Sequence, residues 1–239
     1  MIVPAISVAI VLPLIILFSF WINKKLAPKW DSREDYGYKG GQWKKPLIVS
    51  IIVSTIFTLI IATLVSAIYV SVSLGLLVFF LTATALTDAK THLIPRELSN
   101  MALLVGLITG VIGFATAQYY HPEYLMNQSD QLLFQLINFG LFMFAVSLSF
   151  VVIMFSPVIG FGDIKMFWAT GLFVGTFFAM PQMLMIFMLM FIIMGGQLLF
   201  RIFKAKSWKV SGGLPALPAF AVAFVTVILA TNAALNIVT

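Results

Sequence analysis

Residues 46–87 contain no charged side chain. As one α-helix this stretch would be about 63 Å long, roughly twice the hydrocarbon thickness of a bilayer. It is predicted to fold into two membrane spans, with a turn near Tyr69–Gly75. A second uncharged stretch, residues 166–200, is also too long for one crossing. Met180-Pro181 is its natural break, because proline interrupts a continuing helix. Of the 239 residues, 62% are hydrophobic and 9% charged, whereas a soluble domain carries about 25% charged residues. Lipid must therefore cover much of the surface, and helices are the elements that satisfy their own backbone hydrogen bonds there.

The remaining apolar runs complete an all-α, polytopic membrane helix bundle of about eight transmembrane helices. Residues 2–22 form the first span. No positive residue precedes it, so it lacks the basic start of a secretory signal peptide and is expected to be retained. Lys24, Lys25, Lys29, Arg33, Lys39, Lys44 and Lys45 follow and mark residues 23–45 as a short basic cytoplasmic loop. The fourth and fifth spans are expected at about 98–118 and 132–156, the sixth and seventh on either side of Met180-Pro181, and the eighth at about 214–236. All 14 Lys and Arg then fall in cytoplasmic loops, in groups of seven, two, one and four. Both termini are expected outside. The sequence reads as a single membrane-embedded domain, 1–239, multi-pass in a plasma or inner membrane. The net charge of +6 is accounted for by this topology, so nucleic acid is not an expected partner. With no cysteine and two histidines, disulfides, thiol catalysis and Cys- or His-rich metal sites are excluded, and no metal or other cofactor is expected.

Eight acidic residues remain to be placed. Asp31, Glu34 and Asp35 lie in the basic loop, and Glu123 and Asp130 in an external segment. Glu97 suits the start of a helix. Asp88 and Asp163 stand at the edges of apolar spans, where ionisable groups are costly and are functional candidates. The topology puts both at the cytoplasmic ends of their spans. Two carboxylates brought together share a proton and titrate in separate steps. One then serves as a base toward water while the other polarises a carbonyl. Taken singly, Asp163 could equally be a helix N-cap, and Asp88 an interfacial residue ending its span.

The residues around both acids resemble the type IV prepilin peptidase family of GxGD intramembrane aspartyl proteases. Gly160-Phe161-Gly162-Asp163-Ile164-Lys165 looks like the GxGD signature with its following hydrophobic residue and lysine. Asp88 with Ile94-Pro95 is similar to the family's first aspartate segment. Gly213-Leu214-Pro215-Ala216-Leu217-Pro218 resembles the proline-bearing start of its last helix. The three segments occur in the family's order and mark about 80–225 as a catalytic core region. The resemblance implies an aspartic-type endopeptidase with Asp88 and Asp163 as catalytic residues. Its substrates would be membrane-anchored prepilins or pseudopilins, cut at the cytoplasmic face in type IV pilus or secretion systems.

Supporting roles fall to Gly160, Gly162, Lys165, Pro95, Pro215 and Pro218. Gly160 and Gly162 would form a turn beside Asp163 that admits an extended substrate strand, or would simply make a tight interhelical loop. Lys165 would attract a substrate carbonyl or shift the dyad, or would snorkel to lipid phosphates. Pro95 suits a sharp turn back toward the membrane. Pro215 and Pro218 would frame the site, or only shape the helix start. Many bifunctional relatives carry a larger, cysteine-paired cytoplasmic loop. The short, cysteine-free loop here implies a peptidase without methyltransferase activity. The methionines at 183, 185, 188, 190 and 194 read as apolar filler. A presenilin-like protease, a proton-coupled transporter and a non-catalytic scaffold are the alternatives. Pro215-Ala216-Leu217 matches the first of these, but Thr87 stands where that class has tyrosine.

Overall fold

The computed structural model describes residues 2–31, 44–65, 68–91, 94–120, 161–174, 180–205 and 216–238. All regular structure among them is helical. In chain order the elements are α1 (Ile2–Trp21), a π-helical turn (Ile22–Leu26), α2 (Ala27–Asp31), α3 (Lys44–Leu64), α4 (Ile68–Thr91), α5 (Arg96–Tyr120), α6 (Phe161–Val174), α7 (Met180–Ala205) and α8 (Ala216–Val238). Five stretches among the described residues are long and apolar enough to cross a membrane: Ile2–Lys29, Lys44–Leu64, Ile68–Lys90, Leu184–Lys204 and Ala216–Ala234. The chain is therefore a multi-pass helical membrane protein. The fifth span expected from sequence, 132–156, lies outside the described residues.

α4 is the central helix. Its membrane stretch is 78% buried, against 22% for the stretch containing α1 and 17% for that of α7. α1, α3, α5, α6 and α8 all pack against it. Its sequence explains this: Leu74, Leu76, Leu77, Val78, Phe79, Phe80 and Leu81 are all buried, so the helix is apolar on every side and suits an interior position. The Thr84 and Thr87 hydroxyls donate to carbonyls of the preceding turn, Phe80 O at 2.7 Å and Thr84 O at 2.7 Å. This local bonding hides their polarity in an apolar setting. The outer helices are two-faced. α1 turns Ser7, Val11, Ile15 and Ser19 inward at four-residue spacing. α3 leaves Ile48, Ile52 and Ile56 exposed, and α7 leaves Met188, Ile192 and Phe203. Without a membrane these faces would be large exposed apolar patches; acyl chains cover them without cost.

Two boundaries differ from the sequence expectation. α3 ends at Leu64 and α4 begins at Ile68, so Tyr69–Gly75 is helix instead of the expected turn. Val65 N–H donates to Ile61 O at 2.7 Å and closes the end of α3. Gly75 lies inside α4, where it permits close helix approach instead of a bend. A Cβ there would collide with Thr58 Oγ1 and come within 3.3 Å of Val11 Cγ1. Ser54 Oγ donates to the Gly75 carbonyl at 2.7 Å across the same contact. The second difference is at the basic loop: residues 22–31 continue the first helix through the π turn instead of leaving it. Lys24, Lys25 and Lys29 are carried on helix, and Lys24 Nζ sits 5.5 Å from the centre of the Phe20 ring. Long lysine stems permit this, since they lie along apolar surface while the ammonium stays wet.

The break at Met180-Pro181 coincides with the start of α7. Proline is tolerated in a first turn, where its missing N–H has no helical partner to lose. The methionines of α7 are dispersed over its faces: Met190 and Met194 are buried, while Met185 and Met188 are exposed. That distribution is the one expected of filler side chains.

Candidate active site

Asp88 stands in the last turn of α4 and is 5% exposed. Its Oδ2 accepts a hydrogen bond from the backbone N–H of Leu217 at 3.3 Å, across 129 positions of sequence. Leu217 is the second residue of α8. First-turn amides have no partner within their own helix and concentrate the positive end of its dipole. The Asp88 carboxylate therefore meets a donor that the α8 backbone leaves free. Thr87, beside it, donates its hydroxyl to Ala83 O and Thr84 O at 3.1 and 2.7 Å.

Four residues separate the end of α4 at Thr91 from the start of α5 at Arg96. Pro95 is buried directly before α5. Its carbonyl accepts from Ser99 N–H at 3.2 Å and begins the helical bonding. Pro95 therefore stands at the entry to α5.

Asp163 is the third residue of α6, and Gly162 precedes it within the same first turn. A capping residue stands outside the helix it caps, so the N-cap alternative does not describe this position. The turn expected of Gly160 and Gly162 is likewise not available to Gly162, which is helical. Gly160 and Pro215 lie outside the described residues, as does the Asp163 side chain. Lys165, two positions on, donates from Nζ to Asn100 Oδ1 of α5 at 2.9 Å. It reaches a neighbouring helix. No motif or charge marks Asn100, a polar residue one turn into α5.

The helical register of α6 puts position 163 on the stripe of Phe167 and Thr170, which are buried. The Phe167 ring lies 4.6 Å from that of Phe220 on α8, centre to centre. Phe187 of α7 meets both at 5.8 Å. Phe220 is one turn after Leu217, and Phe167 one turn after Asp163. Pro218 lies between Leu217 and Phe220, half-buried in the first turn of α8. The last turn of α4 is thus bonded to the first turn of α8, while α6 is joined to α5 through Lys165 and Asn100 and to α8 through Phe167 and Phe220.

Neither the curated proteins nor the solved structures contain a match to this chain. The sequence model of the type IV leader peptidase family matches residues 75–200. That range covers more than half of the 239 residues and includes both Asp88 and Asp163. The chain therefore belongs to the type IV leader peptidase family.

Proposed function

We propose that this peptidase is an intramembrane aspartyl endopeptidase. It removes the basic leader from prepilin or pseudopilin-like substrates, with Asp88 and Asp163 as the catalytic pair. The observation that carries the reading is the buried Asp88 carboxylate accepting the Leu217 N–H at the start of α8. A carboxyl group in an apolar bundle is costly unless bonded, and this one, in the last turn of α4, accepts from the first turn of α8.

In the proposed reaction one carboxylate takes a proton from water as the oxygen attacks the scissile carbonyl carbon. The other carboxyl, protonated, donates to the carbonyl oxygen. The tetrahedral intermediate collapses with cleavage of the C–N bond, and the departing nitrogen takes up a proton. The products are a leader ending in a carboxyl group and a mature chain with a free amine. Paired carboxyls need no metal or thiol for this step. Gly160, Pro95, Pro215 and Pro218 would shape the backbone around the substrate, and Gly162, within the first turn of α6, would leave room for its close approach. The site faces the cytoplasm in this reading, both termini lie outside, and the protein resides in the cell membrane. No methyl transfer accompanies cleavage.

The test is leader cleavage of a co-expressed prepilin, comparing wild type, Asp88→Asn and Asp163→Asn at matched membrane levels. Loss of cleavage in both variants is expected, because neither carboxyl group replaces the other. Near-normal cleavage by either would reject the pair. Transfer of labelled methyl from S-adenosylmethionine to the processed substrate would reject the peptidase-only assignment.

A further inference from the structure

We propose that Asn100 is a positioning residue for the site: it holds Lys165 and thereby sets the register of the α6 first turn, which carries Asp163. The proposal rests on the reading of Asp163 as a site residue. Lys165 and Asn100 are each the fifth residue of their helices, α6 and α5. They are 65 positions apart in sequence, and their side chains meet at 2.9 Å. The two helices pack side by side, so the bond links equivalent levels of both.

The link matters because α6 is poorly equipped to hold its own start. Gly162 lies in its first turn, and glycine is a poor helix former. α5 is the better anchor: it has 25 residues, and Leu98, Ser99 and Ala102 around Asn100 are buried. α5 also follows Asp88 after one short loop. A tie from Asn100 to Lys165 therefore references the Asp163 turn to the segment that carries Asp88. The ammonium supplies a charge-assisted donor to a neutral amide oxygen, and such bonds are stronger than neutral pairs.

The experiment is a kinetic double-mutant cycle on the full-length protein in lipid nanodiscs, with Asn100→Leu, Lys165→Met and both together acting on a purified prepilin. Each single variant is expected to lower kcat about tenfold, as small misplacements of catalytic groups do, with KM unchanged. The double variant is expected to be no slower than the worse single one, since residues acting as a unit are not additive. Asn100→Asp, which keeps the acceptor, is expected to restore kcat. Full kcat in Asn100→Leu, or losses that multiply in the double variant, would overturn the proposal.

A second measurement stands apart from activity. The chain has no cysteine, so spin labels at Leu104→Cys and Trp168→Cys report the α5–α6 distance without background labelling. A narrow distribution that broadens with Asn100→Leu and recovers with Asn100→Asp supports the tie. A distribution unchanged by Asn100→Leu rejects it. If wild type cleaves no prepilin while the distances respond as expected, the substrate reading fails and the Asn100–Lys165 tie stands.

Discussion

The Phe220 ring of α8 packs against Phe167 of α6 with 4.6 Å between ring centres, and each ring stands one helical turn beyond a residue of the proposed site. On α8 that residue is Leu217, whose amide donates to Asp88; on α6 it is Asp163. This aromatic contact fixes the relative height of the two helix starts. Both rings are almost fully buried, at 1% and 3% exposure.

Phe220→Ala is expected to destabilise the bundle by about 3–5 kcal/mol, the usual cost of emptying a buried aromatic site. Phe220→Leu should cost much less. Thermal unfolding in detergent measures the difference, and leader cleavage should fall with Phe220→Ala even at temperatures where the protein remains folded.

Replacing Leu217 by its α-hydroxy acid exchanges the backbone N–H for an ester oxygen and leaves the side chain intact. A hydrogen bond to a charged group contributes about 1.5–3 kcal/mol, so cleavage should slow by roughly ten- to a hundredfold. Single-turnover rates with saturating prepilin check this, and an unchanged rate would show that the amide is dispensable.

Gly75→Ala puts a methyl group against Thr58 Oγ1 in the α3–α4 contact. Overpacking of this kind costs about 1–3 kcal/mol. Adding Thr58→Ala removes the colliding hydroxyl and should recover part of the loss, giving a non-additive pair. Melting temperatures of the two single variants and the double variant measure the coupling.

Orientation is testable by thiol labelling, because any introduced cysteine is unique. Ile2→Cys should react with an impermeant maleimide in intact cells, and Lys204→Cys only after the membrane is opened. The reverse pattern would invert the proposed topology and move the site to the other face.

The sequence by itself determined that this is a multi-pass helical membrane protein. Uncharged runs such as 46–87 and 166–200 leave no other way to satisfy the backbone in lipid. It also determined the break at Met180-Pro181, a local property of proline, and the family, whose motifs are read from short contiguous segments. It misplaced the turn at Gly75, because glycine serves both as a breaker and as a close-contact residue, and only the neighbour decides which. Here the neighbour is Thr58 on α3. Tertiary structure alone decided that the Leu217 amide meets Asp88, that Lys165 reaches Asn100, and that Phe167 meets Phe220. These contacts join residues 129, 65 and 53 positions apart (217 − 88, 165 − 100, 220 − 167). No local pattern encodes them, since each partner's own segment is satisfied as a helix regardless. They exist because the helices pack: the interior α4 lies against α8, and α5 lies against α6, which brings side chains distant in sequence within reach.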